Sequence, residues 1–290
     1  MQQISVAKSS SSSCSPDTLA NIQLLVIDID GTIAGENNDV RKPVKEAITA
    51  AMAKGVKVAI ATGRMYKSAL RFYREINSNM PLICYQGALI KDPKDEKIYR
   101  HLPVAIELTL NLLEYLEQPE LRALVPVHFY INDQLYVREI TSETEFYAQR
   151  SGIEPIPVGD LRQILTAEPT KILAISHDRH RLNYLLNTLR QRYRPTELYV
   201  TTSSAIYIEA TNPLVNKGTA VSYLAEKILG LQAANVMTIG DNFNDLEMIE
   251  YAGIGVAMGN APTPVKDVAQ WVAPGVEDDG VAAAIAEFLL

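Results

Sequence analysis

The stretch LLVIDIDGT, residues 24–32, contains the feature that decides the fold. It begins as a short apolar run, which is typical of a strand buried inside a protein. Asp28 and Asp30 end this run, and side chains two residues apart on a strand point to the same face. A buried carboxylate is unfavourable unless it is paired or binds a metal. The stretch therefore predicts a charged site at the carboxyl end of a buried strand, where open α/β sheets bind their ligands.

Strands and helices are predicted to alternate on both sides of an interruption in the middle of the chain. VKVAIAT, residues 56–62, predicts a second strand, and PLICYQGALI, residues 81–90, contains a third. Further elements of this alternation are predicted at residues 40–54, 67–77, 217–229, 235–241, 244–251, 252–258 and 281–290. Strand–helix–strand units of this length are typical of a parallel sheet with right-handed crossovers.

The interruption has a different pattern, which indicates an α+β domain. VPVHFYINDQLYVRE, residues 125–139, predicts a hairpin that turns at Asn132 and Asp133. A strand, a helix and a pair of strands are predicted to follow, at residues 171–178, 181–193 and 198–211. We therefore predict three parts: a disordered Ser-rich tail (1–21), an α/β core (22–90 and 211–290) and an inserted α+β domain (91–210).

The composition narrows the classes of function. Of the 290 residues, 47% are hydrophobic and 21% are charged, as in an ordinary globular protein. The net charge of −7 disfavours nucleic acid as a partner, and the sequence has no apolar run of the roughly 18 residues that a membrane helix needs. Cys14 lies in a polar tail and Cys84 in an apolar run, so a disulfide framework is not expected. We predict a cytoplasmic protein, monomeric or homodimeric, without a nucleic-acid or membrane partner.

A second acidic cluster follows another predicted strand. NVMTIGDNFND, residues 235–245, contains Asp241 and Asp245. If both strands belong to one sheet, Asp28, Asp30 and Asp241 meet at one point of its edge. Carboxylate oxygens are ligands that suit Mg²⁺. The two clusters therefore predict a shared magnesium site.

Two further polar residues are placed to join this site. Thr62 follows the second strand within ATGR, residues 61–64, and Lys217 begins a helix just after the insert. Taken alone, Thr62 suits any strand-to-helix turn and Lys217 suits a solvated helix, while Arg64 is equally compatible with substrate and solvent. Together with the acids they form the set that phosphoryl transfer needs: a nucleophile, an acid–base group, a metal and positive charge.

The motifs DIDGT, ATGR, the lysine and GDNFND follow one another in the order of the haloacid dehalogenase (HAD) superfamily. From about Leu24 to the C-terminus, the chain resembles the Cof-type (subfamily IIB) sugar-phosphate phosphatases of that superfamily. The resemblance implies a Rossmann-like parallel-sheet core with an inserted α+β cap of the C2B type. It also implies a Mg²⁺-dependent hydrolase that acts on small phosphorylated metabolites, sugar phosphates in the first place, through a phosphoaspartate intermediate.

The resemblance assigns the chemistry to the acids and the lysine. It implies that Asp28 attacks phosphorus, and that Asp30 protonates the leaving alcohol and then activates water. The carboxylate of Asp28, the backbone carbonyl of Asp30 and the side chain of Asp241 would hold Mg²⁺. Lys217 would neutralise the charge of the nucleophile and of the phosphate. These roles are expectations that come from the matching motifs.

The resemblance also implies a phosphate-binding set. Thr62, the amide of Gly63, Lys217 and Asn244 would contact phosphate oxygens. Asp245 would orient the metal ligands or Lys217, as acids around a metal site commonly do.

Two points stay open at the level of sequence. Family members commonly have Asn where this chain has Gln86, and the longer amide either reshapes the pocket near the phosphate or changes which substrate fits. The reaction also has alternatives. A phosphomutase of the same fold would return phosphate to the sugar, and a non-catalytic sugar-phosphate-binding regulator would bind without turnover. Because Asp28 and Asp30 are both present and a pure binding protein needs neither, the sequence disfavours the regulator. Hydrolysis is the prediction, and the phosphomutase stays open as its alternative.

Overall fold

The computed structural model describes residues 22–122, 124–204 and 206–290, so the predicted tail at 1–21 lies outside the described residues. The described strands are β1 (Leu24–Ile27), β2 (Lys57–Ile60), β3 (Leu82–Cys84), β4 (Leu89–Lys91), β5 (Ile98–His101), β6 (Val127–Ile131), β7 (Gln134–Val137), β8 (Pro155–Pro157), β9 (Lys171–Ile175), β10 (Tyr199–Ser204), β11 (Tyr207–Thr211), β12 (Val236–Gly240), β13 (Ile254–Ala257) and β14 (Trp271–Val272).

The described α-helices are α1 (Lys42–Ala53), α2 (Tyr66–Glu75), α3 (Ile106–Leu116), α4 (Pro119–Arg122), α5 (Ser142–Ser151), α6 (Arg179–Arg192), α7 (Lys217–Ser222), α8 (Leu246–Tyr251), α9 (Thr263–Val268) and α10 (Gly280–Phe288). None of the helices in this part of the chain has the length and apolarity to cross a membrane.

Parallel strands form the central sheet, in the order β14–β13–β12–β1–β2. β1 lies in register with its neighbours, so that Ile27 is level with Ile239 of β12 and Ile60 of β2. A parallel bridge from Ala61 to Ile83 continues the sheet towards β3, which pairs with β4 in a small antiparallel sheet that also contains β5. The carboxyl ends of β1, β2 and β12 therefore lie side by side.

The central strands are buried because helices cover both faces of the sheet. Alternate residues of a strand point to opposite faces. Leu25 and Ile27 pack in one apolar cluster with α1 and α10, whereas Leu24 and Val26 pack in another with α7 and α8. Burial on both sides explains why the strand is apolar at every position. The predicted fold class, an α/β protein with a Rossmann-like parallel-sheet core and an inserted cap, is confirmed.

A mixed sheet forms the inserted part, in the order β10–β11–β9–β6–β7–β8. The predicted hairpin is confirmed: β6 and β7 flank Asn132 and Asp133, whose φ angles of 51° and 56° suit the central residues of a type I′ turn. One face of this sheet packs on α3 and α6. The other face carries Tyr130 and Leu173 into the apolar cluster that contains Leu25 and Ile27. We call β6–β11 with α3–α6 the cap.

Some elements differ from the sequence prediction. The helices α3 and α5 were not predicted; from Ile106 to Leu112 apolar and polar residues of α3 alternate, a pattern that also fits a strand. The helix predicted at 217–229 is α-helical only over α7, and Tyr223–Ile228 continues it as a π-helix. The limits given above for the tail, the core and the insert stay a prediction.

Candidate active site

The carboxyl ends of β1 and β12 bring three carboxylates together. Asp28 follows β1, Asp241 follows β12, and Asp245 ends a 3₁₀ turn before α8. One oxygen of each lies within 4.8 Å of the others, close enough to share a metal ion. Gly31 permits this approach, because its φ is +78° and a Cβ on it would lie 2.1 Å from Asp241 Oδ2. The structure thus brings Asp28 and Asp241 together as predicted and adds Asp245, whereas the carboxylate of Asp30, predicted to join them, lies outside this group.

Lys217 lies between Asp28 and Asp245 with no exposed surface. It begins α7, whose N-terminus is capped by the side chain of Asn216. Its Nζ is 2.7 Å from Asp28 Oδ1 and 2.6 Å from Asp245 Oδ1. The second oxygen of Asp245 accepts hydrogen bonds from the backbone N–H groups of Asp241 and the next residue, at 2.9 and 3.0 Å. Asp245 therefore orients both the lysine and the turn that carries Asp241.

The negative charge at this point exceeds the positive charge. Burial raises the pKa of Asp28, and the neighbouring carboxylates add to that effect against the attraction of Lys217. Burial and the carboxylate of Asp245 raise the pKa of Asp241 to about 7. Three carboxylates meet one ammonium, which leaves two negative charges when all are ionised. One divalent cation would balance them, so the residues present fit such an ion.

Asp30 has a different partner, Arg64. The guanidinium donates from Nε to Asp30 Oδ2 at 2.8 Å and from Nη2 to Oδ1 at 2.6 Å. It also donates to Asn38 Oδ1 at 2.6 Å and lies 4.7 Å from the ring centre of Phe72. Burial acts to raise the pKa of Asp30, but the hydrogen bonds and charge of Arg64 hold it below its ordinary value. The sequence left Arg64 undecided between substrate and solvent, and the structure places it on Asp30.

The loop after β2 lies against the turn after β3. Thr62 is buried, and its Oγ1 accepts a hydrogen bond from the backbone N–H of Arg64 at 3.1 Å. The backbone N–H groups of Tyr85 and Gln86 donate to the carbonyls of Arg64 and Thr62, at 2.9 and 3.0 Å. Gly63 is so close to Gln86 that a Cβ on the glycine would lie 2.4 Å from Nε2. The predicted phosphate-binding loop therefore forms one unit with the turn that carries Gln86, the residue that departs from the family motif.

Buried polar side chains connect this unit to the cap. Asn244 Nδ2 donates to Gln86 Oε1 at 3.0 Å, and Gln86 Nε2 donates to Glu209 Oε2 at 2.9 Å. Glu209 on β11 pairs with Lys171 on β9 at 3.0 Å, and Lys171 Nζ donates to the carbonyl of Gly63 at 2.9 Å. The family motif drew attention to Gln86, but neither charged partner was predicted. The available signal was a single charge inside each of two otherwise apolar strands, where an unpaired charge would be unfavourable.

The site opens into a cleft between the core and the cap, with a volume of about 850 Å³ that includes space open to solvent. Carboxylates and the phosphate-binding loop line its core side. The cap side is formed by Phe146, Tyr147, Arg150, Ser151, Ile206, Tyr207 and Glu209. Tyr147 and Tyr207 meet edge to face, with ring centres 5.8 Å apart. The cap thus offers an aromatic wall that also carries a guanidinium and a carboxylate.

Comparison with known proteins places the whole arrangement in one family. A sequence profile of the haloacid dehalogenase-like hydrolases matches residues 25–285. YxeH of Bacillus subtilis (strain 168) is 32% identical over 278 residues, which cover 92% of this chain and 98% of that protein. The 5-amino-6-(5-phospho-D-ribitylamino)uracil phosphatase YcsE of the same organism is 30% identical over 271 residues, with coverages of 93% and 97%.

A solved structure agrees in fold. The HAD subclass IIB sugar phosphatase BT4131 superposes with a TM-score of 0.78 at 24% identity, over 92% of this chain and 98% of that one. The residues matched by the family profile include most of β1, all of β12, the cap strands between them and the buried lysine. Since core, insert and acidic cluster all fall within these matches, the chain belongs to the haloacid dehalogenase-like hydrolases and is a phosphatase.

Proposed function

We propose that this phosphatase is Mg²⁺-dependent and hydrolyses small phosphorylated metabolites, above all sugar phosphates, through a phosphoaspartate on Asp28. The observation that carries the proposal is the buried ion pair of Asp28 with Lys217 beside the cleft. A carboxylate held in one orientation by an ammonium is suited to nucleophilic attack on phosphorus. YcsE, a relative, acts on a phospho-D-ribityl compound, which supports the substrate class.

The first chemical step is displacement at phosphorus. A carboxylate oxygen of Asp28 forms a bond to phosphorus while the bond from phosphorus to the substrate oxygen breaks. Asp30, two residues further along the chain, gives a proton to the departing alkoxide. Lys217 lowers the repulsion between the carboxylate and the phosphate, both of which are negative. The product is a free alcohol and a phosphoaspartate.

The second step restores the enzyme. Water attacks the phosphorus of the phosphoaspartate, and Asp30 takes a proton from that water, so that phosphate leaves and the Asp28 carboxylate is regenerated. Arg64 holds the ionised carboxylate of Asp30 by two hydrogen bonds, which orients it as the base of this step. An acid at position 30 therefore serves hydrolysis, since the same group first donates and then accepts the proton.

The acidic cluster fits Mg²⁺, because that ion prefers oxygen ligands. The carboxylates of Asp28 and Asp241 and the backbone carbonyl of Asp30 would hold it. Asp245 is engaged by Lys217 and by two backbone N–H groups, so it would orient the others. When bound, Mg²⁺ supplies positive charge to the phosphate oxygens.

The residues on the cap side of the cleft are suited to bind a small substrate that is partly polar. Pockets that bind small molecules combine apolar walls with a few polar groups that set orientation. Tyr147 and Tyr207 can pack against the C–H faces of a sugar ring, while Arg150 can donate to its hydroxyl groups. The same wall limits entry of a bulky partner, which disfavours a phosphoprotein as substrate.

The test is release of inorganic phosphate by the purified protein from a panel of sugar phosphates, other phosphorylated metabolites and a chromogenic phosphoester, with and without Mg²⁺. Asp28→Asn is the diagnostic variant, and Asp39→Asn, which changes an exposed acid outside the cleft, is its matched control. We expect Mg²⁺-dependent release that survives in the control and disappears in Asp28→Asn.

A trapping experiment completes the test. Rapid acid quench during turnover, followed by mass spectrometry, should find one added phosphoryl group on the peptide that contains Asp28. Turnover that survives in folded Asp28→Asn would overturn the mechanism. Conversion of one sugar phosphate to its isomer without free phosphate would instead establish a phosphomutase.

A further inference from the structure

The cap contacts the phosphate-binding unit through charged side chains that the mechanism above does not use. Lys171 and Glu209 are 2% and 3% exposed and pair at 3.0 Å. A buried ion pair is weak support for stability, because apolar residues of similar volume often serve as well or better. The position of this pair therefore needs another explanation, and each member makes one hydrogen bond across the boundary to the core.

The contact from Lys171 fixes one peptide group. Lys171 Nζ donates to the carbonyl of Gly63, and the N–H at the other end of that planar peptide donates to Thr62 Oγ1. With both ends bound, the peptide cannot turn its carbonyl oxygen towards the cleft. A carbonyl facing the phosphate would repel it, so the lysine keeps the loop in the form that accepts an anion.

The contact from Glu209 sets the direction of two side-chain amides. An ionised carboxylate only accepts hydrogen bonds, so the NH₂ group of Gln86 must face Glu209. The oxygen of Gln86 then faces Asn244, and the NH₂ group of Asn244 must point towards it. We call Gln86 and Asn244 the amide relay. Since an NH₂ group has two hydrogens, Asn244 keeps one with which it can donate to a phosphate oxygen.

We propose that Lys171 and Glu209 are positioning residues: the docked cap uses them to hold the Gly63 peptide and the amide relay in the phosphate-accepting orientation. The inference rests on the proposed function of this same site. It also assigns a purpose to Gln86. The side chain must reach Asn244 and Glu209 at once, at 3.0 and 2.9 Å, so its length matches a bridge between core and cap.

The turn that carries Gln86 is consistent with this assignment. Tyr85 and Gln86 have φ angles of 53° and 60°, which L-residues rarely adopt, and Gly87 follows at 100°. Such backbone is unfavourable and persists where surrounding contacts hold it. Here the holding contacts are the hydrogen bonds to the loop after β2 and the bond from Gln86 to the cap.

The diagnostic variant is Lys171→Met/Glu209→Gln, which removes both charges together and so leaves neither one buried alone. We expect a folded protein whose kcat/KM falls about tenfold or more, the equivalent of one hydrogen bond to a charged group. Because the phosphoryl site is common to all substrates, the factor should be the same across the substrate panel. Affinity for inorganic phosphate, measured by calorimetry with Mg²⁺ present, should fall by a similar factor.

Two further variants separate positioning from general destabilisation. Gln86→Leu interrupts the relay with the ion pair intact and should reproduce the loss of phosphate affinity. Ser68→Ala removes a different bond between core and cap, from Ser68 Oγ to the carbonyl of Ser151 at 2.6 Å, and should leave kcat/KM and phosphate affinity unchanged. Thermal unfolding of each variant verifies that the comparison is made on folded protein.

The outcomes are distinct from those of the proposed function. Phosphate that binds the folded double variant and Gln86→Leu as tightly as the wild type overturns the positioning role, whether or not the wild type turns over substrate. A wild type that binds phosphate but releases none from any substrate overturns the proposed hydrolysis. In that case the phosphate affinities still decide the role of Lys171 and Glu209.

Discussion

Arg64 holds the carboxylate of Asp30 through two hydrogen bonds, at 2.8 and 2.6 Å, from the loop after β2, which is the neighbour of the strand that precedes Asp30. The guanidinium side chain is only 9% exposed, and an aromatic ring, Phe72, lies beneath it. A fork of two parallel bonds fixes both the position and the plane of a carboxylate. The acid–base group of the proposed mechanism is therefore held by a residue of the phosphate-binding loop.

Replacement of Arg64 should lower turnover without abolishing it. In Arg64→Met, Asp30 loses both hydrogen bonds, and we expect kcat to fall by about 10- to 100-fold, as for the loss of a charge-assisted bond. Arg64→Lys should recover only part of the rate, since an ammonium cannot make the fork. Arg71→Met is the control, because Arg71 stacks on the same ring without touching Asp30. Steady-state kinetics decides, and equal rates in wild type and Arg64→Met would contradict the role.

Mg²⁺ should stabilise the folded protein through Asp241. Ions that bind only the folded state raise stability, by about 2.7 kcal/mol at a hundredfold excess over Kd. We expect the Tm of the wild type to rise with added Mg²⁺ and that of Asp241→Asn to rise much less. Since burial and Asp245 raise the pKa of Asp241 to about 7, its charge is unfavourable without the ion. The metal-free variant should therefore be at least as stable as the metal-free wild type.

Asp39→Asn is the control for this measurement and should respond to Mg²⁺ as the wild type does. Calorimetric scans measure the Tm of each protein once with chelator and once with Mg²⁺, so that the Mg²⁺-induced rise of a variant can be compared with that of the wild type. An equal Mg²⁺-induced rise in Asp241→Asn would place the ion elsewhere.

His128 should make the protein less stable in mild acid. The imidazole is fully buried, with Nε2 3.0 Å from Thr144 Oγ1, and burial with the nearby Lys171 lowers its pKa to about 3. An unfolded histidine titrates near 6.5. The contribution of the neutral imidazole to the free energy of unfolding is thus complete above about pH 6.5. It is lost as the pH falls towards 3, at up to about 1.4 kcal/mol per pH unit.

The His128→Gln variant isolates this contribution. Urea unfolding of wild type and variant between about pH 7 and about pH 5 should show a steeper loss of unfolding free energy in the wild type. Carboxylates titrate equally in both proteins, so the difference in slope belongs to the histidine. Parallel slopes would show that the imidazole is not held neutral in the folded state.

Gly218 should tolerate no side chain. A Cβ on it would lie 2.6 Å from backbone atoms of Glu247 in α8, against which α7 packs. We expect Gly218→Ala to lower the free energy of unfolding by about 1–3 kcal/mol and to lower kcat as well, because Lys217 is the preceding residue. Ser222→Ala, at the end of the same helix, should change stability by less than about 0.5 kcal/mol. Chemical unfolding and kinetics together test both effects, and a fully active, stable Gly218→Ala would contradict the packing argument.

Much of the core was predictable because its signals are local. The apolar run that ends in Asp28 predicts a buried strand, and the same reasoning applies to the strand that ends in Asp241. Parallel strands place their carboxyl ends at one edge, so the meeting of these acids follows from the topology. The hairpin at Asn132 and Asp133 was predictable for a similar reason, since its turn residues favour positive φ.

The pairings of charged residues were not predictable in this way. Arg64 suited substrate or solvent equally until the structure placed it on Asp30. Lys171 lies 108 residues from Gly63 along the chain, and Gln86 lies 123 residues from Glu209. No periodicity or turn chemistry relates positions so far apart. Helix α3 was missed for another reason, because apolar and polar residues alternate over its first seven positions, as they also do in a strand.

The sequence by itself determined the class of fold and the identity of the acids and lysine at its centre. The fold class and the acids depend on short-range rules: which face a side chain takes on a strand and where a strand ends. The lysine was identified by its place in the order of the family motifs. Tertiary structure decided how those groups are charged and oriented. Lys171 and Glu209 are removed from water only where the cap docks on the core. Once a charged side chain is buried, the balance between ion pairing and lost solvation decides what it contacts.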